Sequence, residues 1–455
     1  MHRKSYPGRI ESGAPAAAHS SGPSRRGVLK GAAVLGGVGL FGGAALTAPA
    51  ASAAGRAAFG SVPIHPERIG IYAIPDIPEQ WRDWDLTQAS LAKLHQVLPG
   101  AWVRWDNETG HHTDDPASVE TVVARAQAAG LPMIITGSAV DGYDNWWAQN
   151  NTQPEETIRQ IADGPYLDHA ADLYRRYDNV RFVETVNEPD GVWFVANPDD
   201  VGDYAYYLDR LTSAMNGDTA GILGPATAFE GQILQHHLGR PELSHISYHT
   251  YGGWQSLRTY PGKEVYVTEY GDDSVPAGTG NSPAFVIGDL AQAERAGKLS
   301  DGVRMVFYVN LQGMMRADAT ENGHFTFTGQ LRALIAYQAL GAVSSTAWTD
   351  PSVTEVLATD DGAGRFAALL WNPSADSELS GRTVQVPGSS LGGAEALNVL
   401  TVLNRADGAA ESAALGAQNR VRAQVADGTV TLTVDRLEPL AAVLVTTEGT
   451  TDLAN

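Results

Sequence analysis

Two glutamates occupy corresponding places in the chain, each just after a run of strand-forming residues. Glu188 lies in an Asn-Glu-Pro tripeptide after the apolar run Val180–Val186, and Glu269 follows the run Val265–Thr268. Cleavage of an acetal at neutral pH needs one carboxyl group to protonate the leaving oxygen and a second to attack or stabilise the oxocarbenium-like centre. A lone glutamate after a strand is more often a surface residue. Two of them in the same register favour glycoside hydrolysis.

The rest of the chain predicts the elements that must hold these two residues. Short apolar strands alternate with helix-like segments, a pattern typical of parallel βα units. Eight such strands predict a (β/α)8 TIM barrel, in which the C-terminal strand ends carry the chemistry. The predicted strands are Ile69–Ile74, Ala101–Trp105, Met133–Thr136, Val180–Val186, Ile222–Pro225, Ile246–His249, Val265–Thr268 and Val303–Val309. The predicted helices include Ser90–Leu98, Ser118–Ala129, Glu155–Tyr177, Tyr204–Met215 and Gly329–Leu340.

The character of the chain changes after the last predicted helix. Segments between Gly, Asp, Ser and Pro turns alternate or run apolar without helical periodicity, which predicts a C-terminal all-β sandwich. We expect a short strand at Ser61–Ile64 to join it, and the sandwich to pack on the barrel because few connecting residues intervene. The predicted domains are a barrel at 54–345 and a sandwich at 346–455. The predicted sandwich strands are Phe366–Trp371, Arg382–Val386, Ala396–Leu403, Val421–Val425, Thr429–Val434 and Ala441–Thr446.

The N-terminal segment predicts export. Arg25 and Arg26 form a twin-arginine pattern, an uncharged Gly/Ala/Leu stretch covers 31–48, and the small residues at 51–53 suit a cleavage site. A membrane anchor is the competing interpretation, but the stretch is short and diluted by glycine. We therefore predict a Tat signal peptide at 1–53, a secreted protein, and no membrane association after its removal.

Composition narrows the partners further. The 455 residues carry a formal charge of −21, which disfavours nucleic acid as a partner, and there is no cysteine for disulfides or thiolate metal sites. No phosphate-binding glycine loop or nucleotide fingerprint occurs, so we predict no cofactor. A solvated loop is a better interpretation of His111, His112, Asp114 and Asp115 than a metal site, because adjacent loop residues rarely converge on one ion.

Several motifs together support a wider resemblance. Arg104 lies on strand two, Asn-Glu-Pro ends strand four, Gly-Pro-Ala at 224–226 ends strand five, His-Thr-Tyr at 249–251 lies on strand six, and Glu269 ends strand seven. This set resembles clan A glycoside hydrolases across the whole barrel, most closely family 39, with families 5, 30 and 44 next. The resemblance implies a retaining mechanism with Glu188 as general acid/base and Glu269 as nucleophile.

The same resemblance implies roles for four neighbours of the glutamates. Asn187 would hydrogen-bond the sugar hydroxyl next to the reacting carbon. Arg104 would lie beside Glu269 and keep it ionised, and Tyr251 could donate to the same carboxylate. His249 would line the sugar subsite. A structural ion pair for Arg104 and a core position for His249 remain alternative interpretations.

Two departures and the tryptophans bear on the substrate. Asp106 stands where many relatives carry histidine, and Asn310 where they carry an aromatic residue. Trp193 and Trp254 follow strands four and six, and indole rings stack on the C–H faces of sugars, so we predict a carbohydrate substrate. The patterns leave open the sugar, with xylosidase or arabinosidase activity as candidates, the anomer, exo or endo action and the oligomeric state. A non-catalytic carbohydrate-binding barrel is the first alternative function, and a different hydrolase or a structural surface protein is the second.

Overall fold

After a short first strand, β1 (Gly60–Pro63), eight parallel strands form a closed barrel in chain order. Each strand pairs with the next, and the last closes on the first through the pairing of Ile69 with Met305. The prediction of a (β/α)8 barrel is therefore confirmed. The barrel strands are β2 (Ile69–Ala73), β3 (Trp102–Trp105), β4 (Met133–Thr136), β5 (Val180–Glu184), β6 (Ile222–Thr227), β7 (His245–Thr250), β8 (Glu264–Tyr270) and β9 (Val303–Phe307).

This computed structural model describes residues 60–73, 84–105, 116–137, 157–191, 195–271, 282–307, 315–317, 325–327, 329–350, 353–388, 391, 397–402 and 419–447. The chain from Ala53 to Asn455 forms one compact unit. Within the described ranges, no helix has both the length and the apolar character needed to cross a membrane. The predicted signal peptide, Trp193, Asp106 and Asn310 lie outside the described residues.

Helices connect the barrel strands. The helices are α1 (Trp84–Val97), α2 (Pro116–Ala128), α3 (Ile158–Asp163), α4 (Tyr166–Arg176), α5 (Val201–Ala214), α6 (Gln232–His237), α7 (Pro283–Arg295) and α8 (Gly329–Val343). The prediction of one helix over Glu155–Tyr177 is wrong, because α3 ends at Asp163 and α4 begins at Tyr166, directly after Pro165. Proline lacks the backbone N–H that a continuous helix requires, and its ring collides with the preceding turn.

Aromatic side chains fill the N-terminal end of the barrel. Phe182 packs against Trp102 and Tyr266, with ring centroids 5.9 and 5.0 Å apart, and the guanidinium of Arg304 lies 4.4 Å from the Trp102 ring centroid. Alternate residues of a strand point to the same face, so the interior position after Phe182 is Glu184. The interior of β5 therefore changes from an aromatic side chain near the N-terminal end of the barrel to a carboxylate near its C-terminal end.

The C-terminal segment forms two antiparallel sheets. The strands are β12 (Thr346–Asp350), β13 (Val353–Asp360), β14 (Phe366–Trp371), β15 (Arg382–Pro387), β16 (Asn398–Val402), β17 (Arg420–Ala426), β18 (Thr429–Arg436) and β19 (Ala442–Thr446). One sheet has the order β1-β12-β13-β14-β19-β16 and the other the order β15-β18-β17. Their facing sides share an apolar core that includes Phe366, Val384, Leu432 and Val443, which makes a sandwich as predicted. A separate hairpin consists of β10 (Met315–Ala317) and β11 (Phe325–Phe327).

The larger sheet also packs on the barrel helices. Every residue of β14 is buried, because Phe366, Ala368 and Leu370 face the sandwich core while Leu369 and Trp371 belong to the core of the barrel. The first strand, β1, pairs with β12 in antiparallel register, so the expected N-terminal strand does join the sandwich. Strands β12 and β13 were missing from the sequence prediction. The larger sheet is therefore covered on one face by the smaller sheet and on the other by the barrel.

Candidate functional site

Glu188 lies in a tight turn beyond the C-terminal end of β5. Its backbone φ is +40°, a conformation that non-glycine residues adopt at a cost in strain energy. The backbone N–H of Glu188 donates to the carbonyl of Ala226 at 3.0 Å, which ties the turn to the neighbouring strand β6. The side chain is buried. The turn thus directs a carboxyl group into the barrel at its C-terminal end.

A β-bulge brings Glu269 to the same region. Along β7 and β8, Tyr248 pairs with Val267 but His249 pairs with Glu269, so β8 contains one extra residue, Thr268. The bulge reverses the alternation of side chains: Tyr266 packs inside the barrel, whereas the hydroxyl of Tyr270 donates outward to Asp289 on α7. Glu269 consequently points into the barrel, level with His249.

Arg104 links the two strands that carry the carboxylates. Its Nε donates to Glu184 Oε2 at 2.5 Å, its Nη1 to Glu269 Oε1 at 3.1 Å, and its Nη2 to Asn187 Oδ1 at 2.7 Å. The guanidinium also lies 4.6 Å from the centroid of the Tyr72 ring. Both Arg104 and Glu184 are fully buried. Hydrogen bonds to ionised groups are short and strong, so this arginine fixes the relative positions of its three partners.

His249 contacts both glutamates. Its Nδ1 lies 2.8 Å from Glu188 Oε1 and 3.5 Å from Glu269 Oε1. Burial lowers the pKa of His249, but the charges of Glu269 and Glu188 and the hydrogen bond to Glu188 outweigh burial and raise the pKa above its usual value. The protonation of His249 therefore depends on the charges of both glutamates.

Tyr251 completes the contacts of Glu269. Its hydroxyl donates to Glu269 Oε2. The loop that carries Tyr251 is held to the end of β8, because Gly271 N donates to Thr250 O at 3.0 Å and Gly253 N donates to Gly271 O at 3.1 Å. Both oxygens of the Glu269 carboxylate thus have a donor, Arg104 on one side and Tyr251 on the other.

Asp190 holds the turn that presents Glu188. Its carboxylate accepts the backbone N–H groups of Ala228 at 2.9 Å and Phe229 at 2.6 Å, just beyond β6. Loss of hydration at this half-buried position raises the pKa of Asp190 to about 7 despite these donors, and the charge of Glu188 adds to the effect. Asp190 and Glu188 therefore share one local electrostatic environment.

Three side chains converge closely enough to share one atom or ion. Glu188, His249 and Glu269 each offer a ligand atom, and these atoms lie within 4.8 Å of one another. Such a group could hold a metal ion, but the Arg104 guanidinium already places a positive charge against Glu269, and a cation at that point would meet electrostatic repulsion. The arrangement suits a pair of carboxyl groups that act on one bond between them.

Several solved structures resemble this chain. An endo-1,4-beta-mannanase from Rhizomucor miehei has 12% identity and a TM-score of 0.35, over 50% of this chain and 82% of that one. A GH5_18 protein from Bifidobacterium longum subsp. infantis has 14% identity and a TM-score of 0.41, over 59% of this chain and 78% of that one. An endo-beta-1,4-mannanase from Thermotoga petrophila has 11% identity and a TM-score of 0.39, over 81% of this chain and 91% of that one.

At these identities and scores, the resemblances carry no conclusion about the activity of this chain. No protein-family model matches it, and no curated protein matches it.

The structure brings six of the eight predicted site residues together. These are Arg104, Asn187, Glu188, His249, Tyr251 and Glu269. Trp254 is half-buried and packs against the hydrophobic core, where its role as a sugar platform stays a prediction. Trp193 lies outside the described residues.

Sequence reasoning missed Glu184 and Asp190. A charged residue inside an apolar, buried strand was the available signal for Glu184, since it shares the interior face of β5 with Phe182. Asp190 had no such signal, because its partners follow β6 and are distant along the chain. We refer below to Arg104, Glu184, Asn187, Glu188, His249, Tyr251 and Glu269 as the site cluster.

Proposed function

We propose that the protein is a retaining glycoside hydrolase of the clan A type, which cleaves O-glycosidic bonds of polysaccharides or glycoconjugates. The observation that carries the proposal is the close approach of Glu188 and Glu269: one carboxylate oxygen of each lies within 4.8 Å of the other at the C-terminal end of a (β/α)8 TIM barrel. Retaining pairs have carboxyl groups about 5 to 5.5 Å apart, whereas inverting pairs are separated by about 6.5 to 9.5 Å to admit water. The spacing supports a double displacement.

In the first half-reaction, Glu269 attacks the anomeric carbon while Glu188 transfers its proton to the glycosidic oxygen. The bond between the anomeric carbon and that oxygen breaks, the alcohol leaves, and an ester joins the sugar to Glu269. In the second half-reaction, Glu188 removes a proton from water, and the resulting oxygen attacks the anomeric carbon and releases Glu269. Two inversions give net retention.

The neighbours of the two glutamates have matching roles in this scheme. Arg104 and Tyr251 orient the two oxygens of Glu269 toward one attack direction. Asn187, whose Oδ1 is fixed by Arg104, would hydrogen-bond the hydroxyl next to the reacting carbon. His249 donates to or accepts from Glu188 and can follow its change of protonation between the two half-reactions.

More than one sugar is compatible with this reaction. The resemblance to family 39 favours xylosidase or arabinosidase activity, while the mannanases named above act on a different sugar. Carbohydrate is the proposed partner in either case. We further propose that the protein acts outside the cell after export by the twin-arginine pathway, since the pattern at Arg25 and Arg26 supports it.

A panel of aryl glycosides tests the proposal. The panel comprises β-xyloside, α-L-arabinopyranoside, α- and β-arabinofuranoside, β-glucoside, β-galactoside and β-mannoside. We expect one or more to be cleaved with retained configuration at the anomeric carbon, as read by NMR of the first product formed, and Glu269→Gln to abolish cleavage. A barrel that only binds carbohydrate would cleave none of them. Product of inverted configuration would exclude the double displacement.

A further inference from the structure

Glu184 is a third buried carboxylate in the site cluster, and the mechanism above gives it no role. It is the last residue of β5, and its side chain is fully buried. Arg104 Nε donates to Glu184 Oε2 at 2.5 Å, while Nη1 of the same guanidinium donates to Glu269 Oε1 at 3.1 Å. One arginine is therefore shared between two carboxylates on different strands.

We propose that Glu184 is a positioning residue that sets the charge of the site. It binds Nε of Arg104 and thereby weakens the ion pair between Arg104 and Glu269. The inference rests on the proposed glycosidase function of the same site. An arginine beside a single carboxylate forms a neutral pair. Two carboxylates around one arginine leave a net negative charge, and in a buried region such a charge acts strongly on a nearby positive centre.

The geometry of Arg104 supports this division of its charge. The hydrogen bonds to Glu184 and Asn187 measure 2.5 and 2.7 Å, and the one to Glu269 is the longest of the three at 3.1 Å. Tyr72 packs against the guanidinium and restricts its movement. The nucleophile is thus oriented by Arg104 without being its tightest partner, which suits a group that must leave that contact to attack carbon.

The effect of removing the Glu184 charge has a definite sign. Ionised Glu269 would lose a nearby negative charge, and Arg104 would be released to pair more closely with it. Both changes favour the ionised form of Glu269, so it should titrate at a lower pH and attack carbon more slowly. The described charged or titratable groups around Glu269 include Arg104 from β3 with Tyr72 from β2 packed on it, Glu184 and Glu188 from β5 and the turn after it, and His249 and Tyr251 from β7 and the loop after it.

The test measures the ionisation of Glu269 directly. The full chain is labelled with carbon-13 at the glutamate Cδ, and the Glu269 signal is identified by its absence in Glu269→Gln. We expect Glu184→Gln to move the titration midpoint of Glu269 to lower pH by about one unit, the size expected from losing one neighbouring charge. Glu184→Asp keeps the charge and should move the midpoint from its wild-type value by no more than roughly a third of a pH unit. Glu264→Gln is the matched control, since Glu264 begins the same strand, β8, and pairs with Arg68 at 3.2 Å.

Kinetics provide a second measurement. On an activated aryl glycoside that the wild type cleaves, Glu184→Gln should form the glycosyl-enzyme about tenfold more slowly, and the acidic limb of its pH profile should move to lower pH. An unchanged or raised Glu269 midpoint in Glu184→Gln would overturn the inference, whether or not the variant loses activity. If Glu184→Gln does not fold, a full one-unit shift in Glu184→Asp would overturn it as well. Failure of the wild type to cleave any glycoside would reject the proposed function, whereas the titration still decides the role of Glu184.

Discussion

The imidazole Nδ1 of His249 lies 2.8 Å from Oε1 of Glu188, and both side chains are buried. This contact places a second titratable group on the carboxyl group that we propose as the proton donor. Since Glu269 and Glu188 together raise the pKa of His249 against the effect of burial, protonation of the imidazole stabilises the folded protein.

The pH dependence of stability follows from that shift. A group whose pKa is raised on folding contributes stability that is fully present below its unfolded-state value, here about 6.5, and that is lost as the pH rises through the folded-state value. We expect the free energy of unfolding to fall above pH 6.5 by up to about 1.4 kcal/mol per pH unit for His249. The slope should be smaller in His249→Asn, which keeps the contribution of Asp190, whose pKa burial raises to about 7. Urea denaturation between about pH 6 and pH 9 measures both. The exposed His236→Asn is the control and should keep the wild-type slope; equal slopes in wild type and His249→Asn would assign the titration to another group.

Removal of the proton donor should depend on the leaving group. Because a dinitrophenolate leaves without protonation, Glu188→Ala should retain far more activity on dinitrophenyl glycosides than on natural linkages, with the difference exceeding about a hundredfold. Added azide should restore turnover and give a glycosyl azide of retained configuration. Equal losses on both kinds of substrate would remove the acid/base role from Glu188.

Glu269 should form a covalent intermediate. An activated 2-deoxy-2-fluoro glycoside of the cleaved sugar should arrest turnover, because fluorine slows both half-reactions and the good leaving group permits only the first to proceed. Mass spectrometry should then find one added glycosyl group on the peptide that contains residues 265–270. Attachment to another carboxylate, or full activity in Glu269→Gln, would show that the nucleophile is assigned wrongly.

A single methyl group beside Tyr251 should reduce activity. A Cβ at Gly271 would lie 3.1 Å from Cδ1 of the Tyr251 ring, closer than ordinary van der Waals contact, so Gly271→Ala should displace the hydroxyl that donates to Glu269. We expect kcat/KM to fall by roughly tenfold with little change in the melting temperature. At Gly239 an added Cβ meets no atom within 4 Å, and Gly239→Ala should therefore behave as wild type. A comparable loss in both variants would contradict the role given to Tyr251.

Export should depend on the arginine pair. Replacement of Arg25 and Arg26 by lysine should leave the protein in the cytoplasm, since the Tat machinery reads the pair ahead of a weakly apolar stretch. Cell fractionation and N-terminal sequencing of secreted wild type, with a first residue near Ala54, measure this. Undiminished secretion of the double variant would contradict Tat dependence.

The sequence alone determined the barrel and the order of its strands. Each strand is a short apolar run bounded by turn residues, and β4 and β14 begin and end where local pattern places them. Since parallel barrel strands end at the same rim, polar residues near those ends were bound to approach one another, which is why Arg104 contacts Glu269 and His249 contacts Glu188. Local pattern also identified the sandwich, although it missed two of its strands.

Tertiary structure decided which way the side chains point and which groups share a charge. Strict alternation along β8 would have turned Glu269 away from Tyr266 and out of the barrel, and only the bulge paired against β7 reverses this. The division of Arg104 between Glu184 and Glu269 joins residues 80 and 165 positions apart, and no local signal specifies such contacts. Strand formation depends on neighbours in sequence, whereas the electrostatics of the site depend on distances through space, which exist only once the barrel has closed.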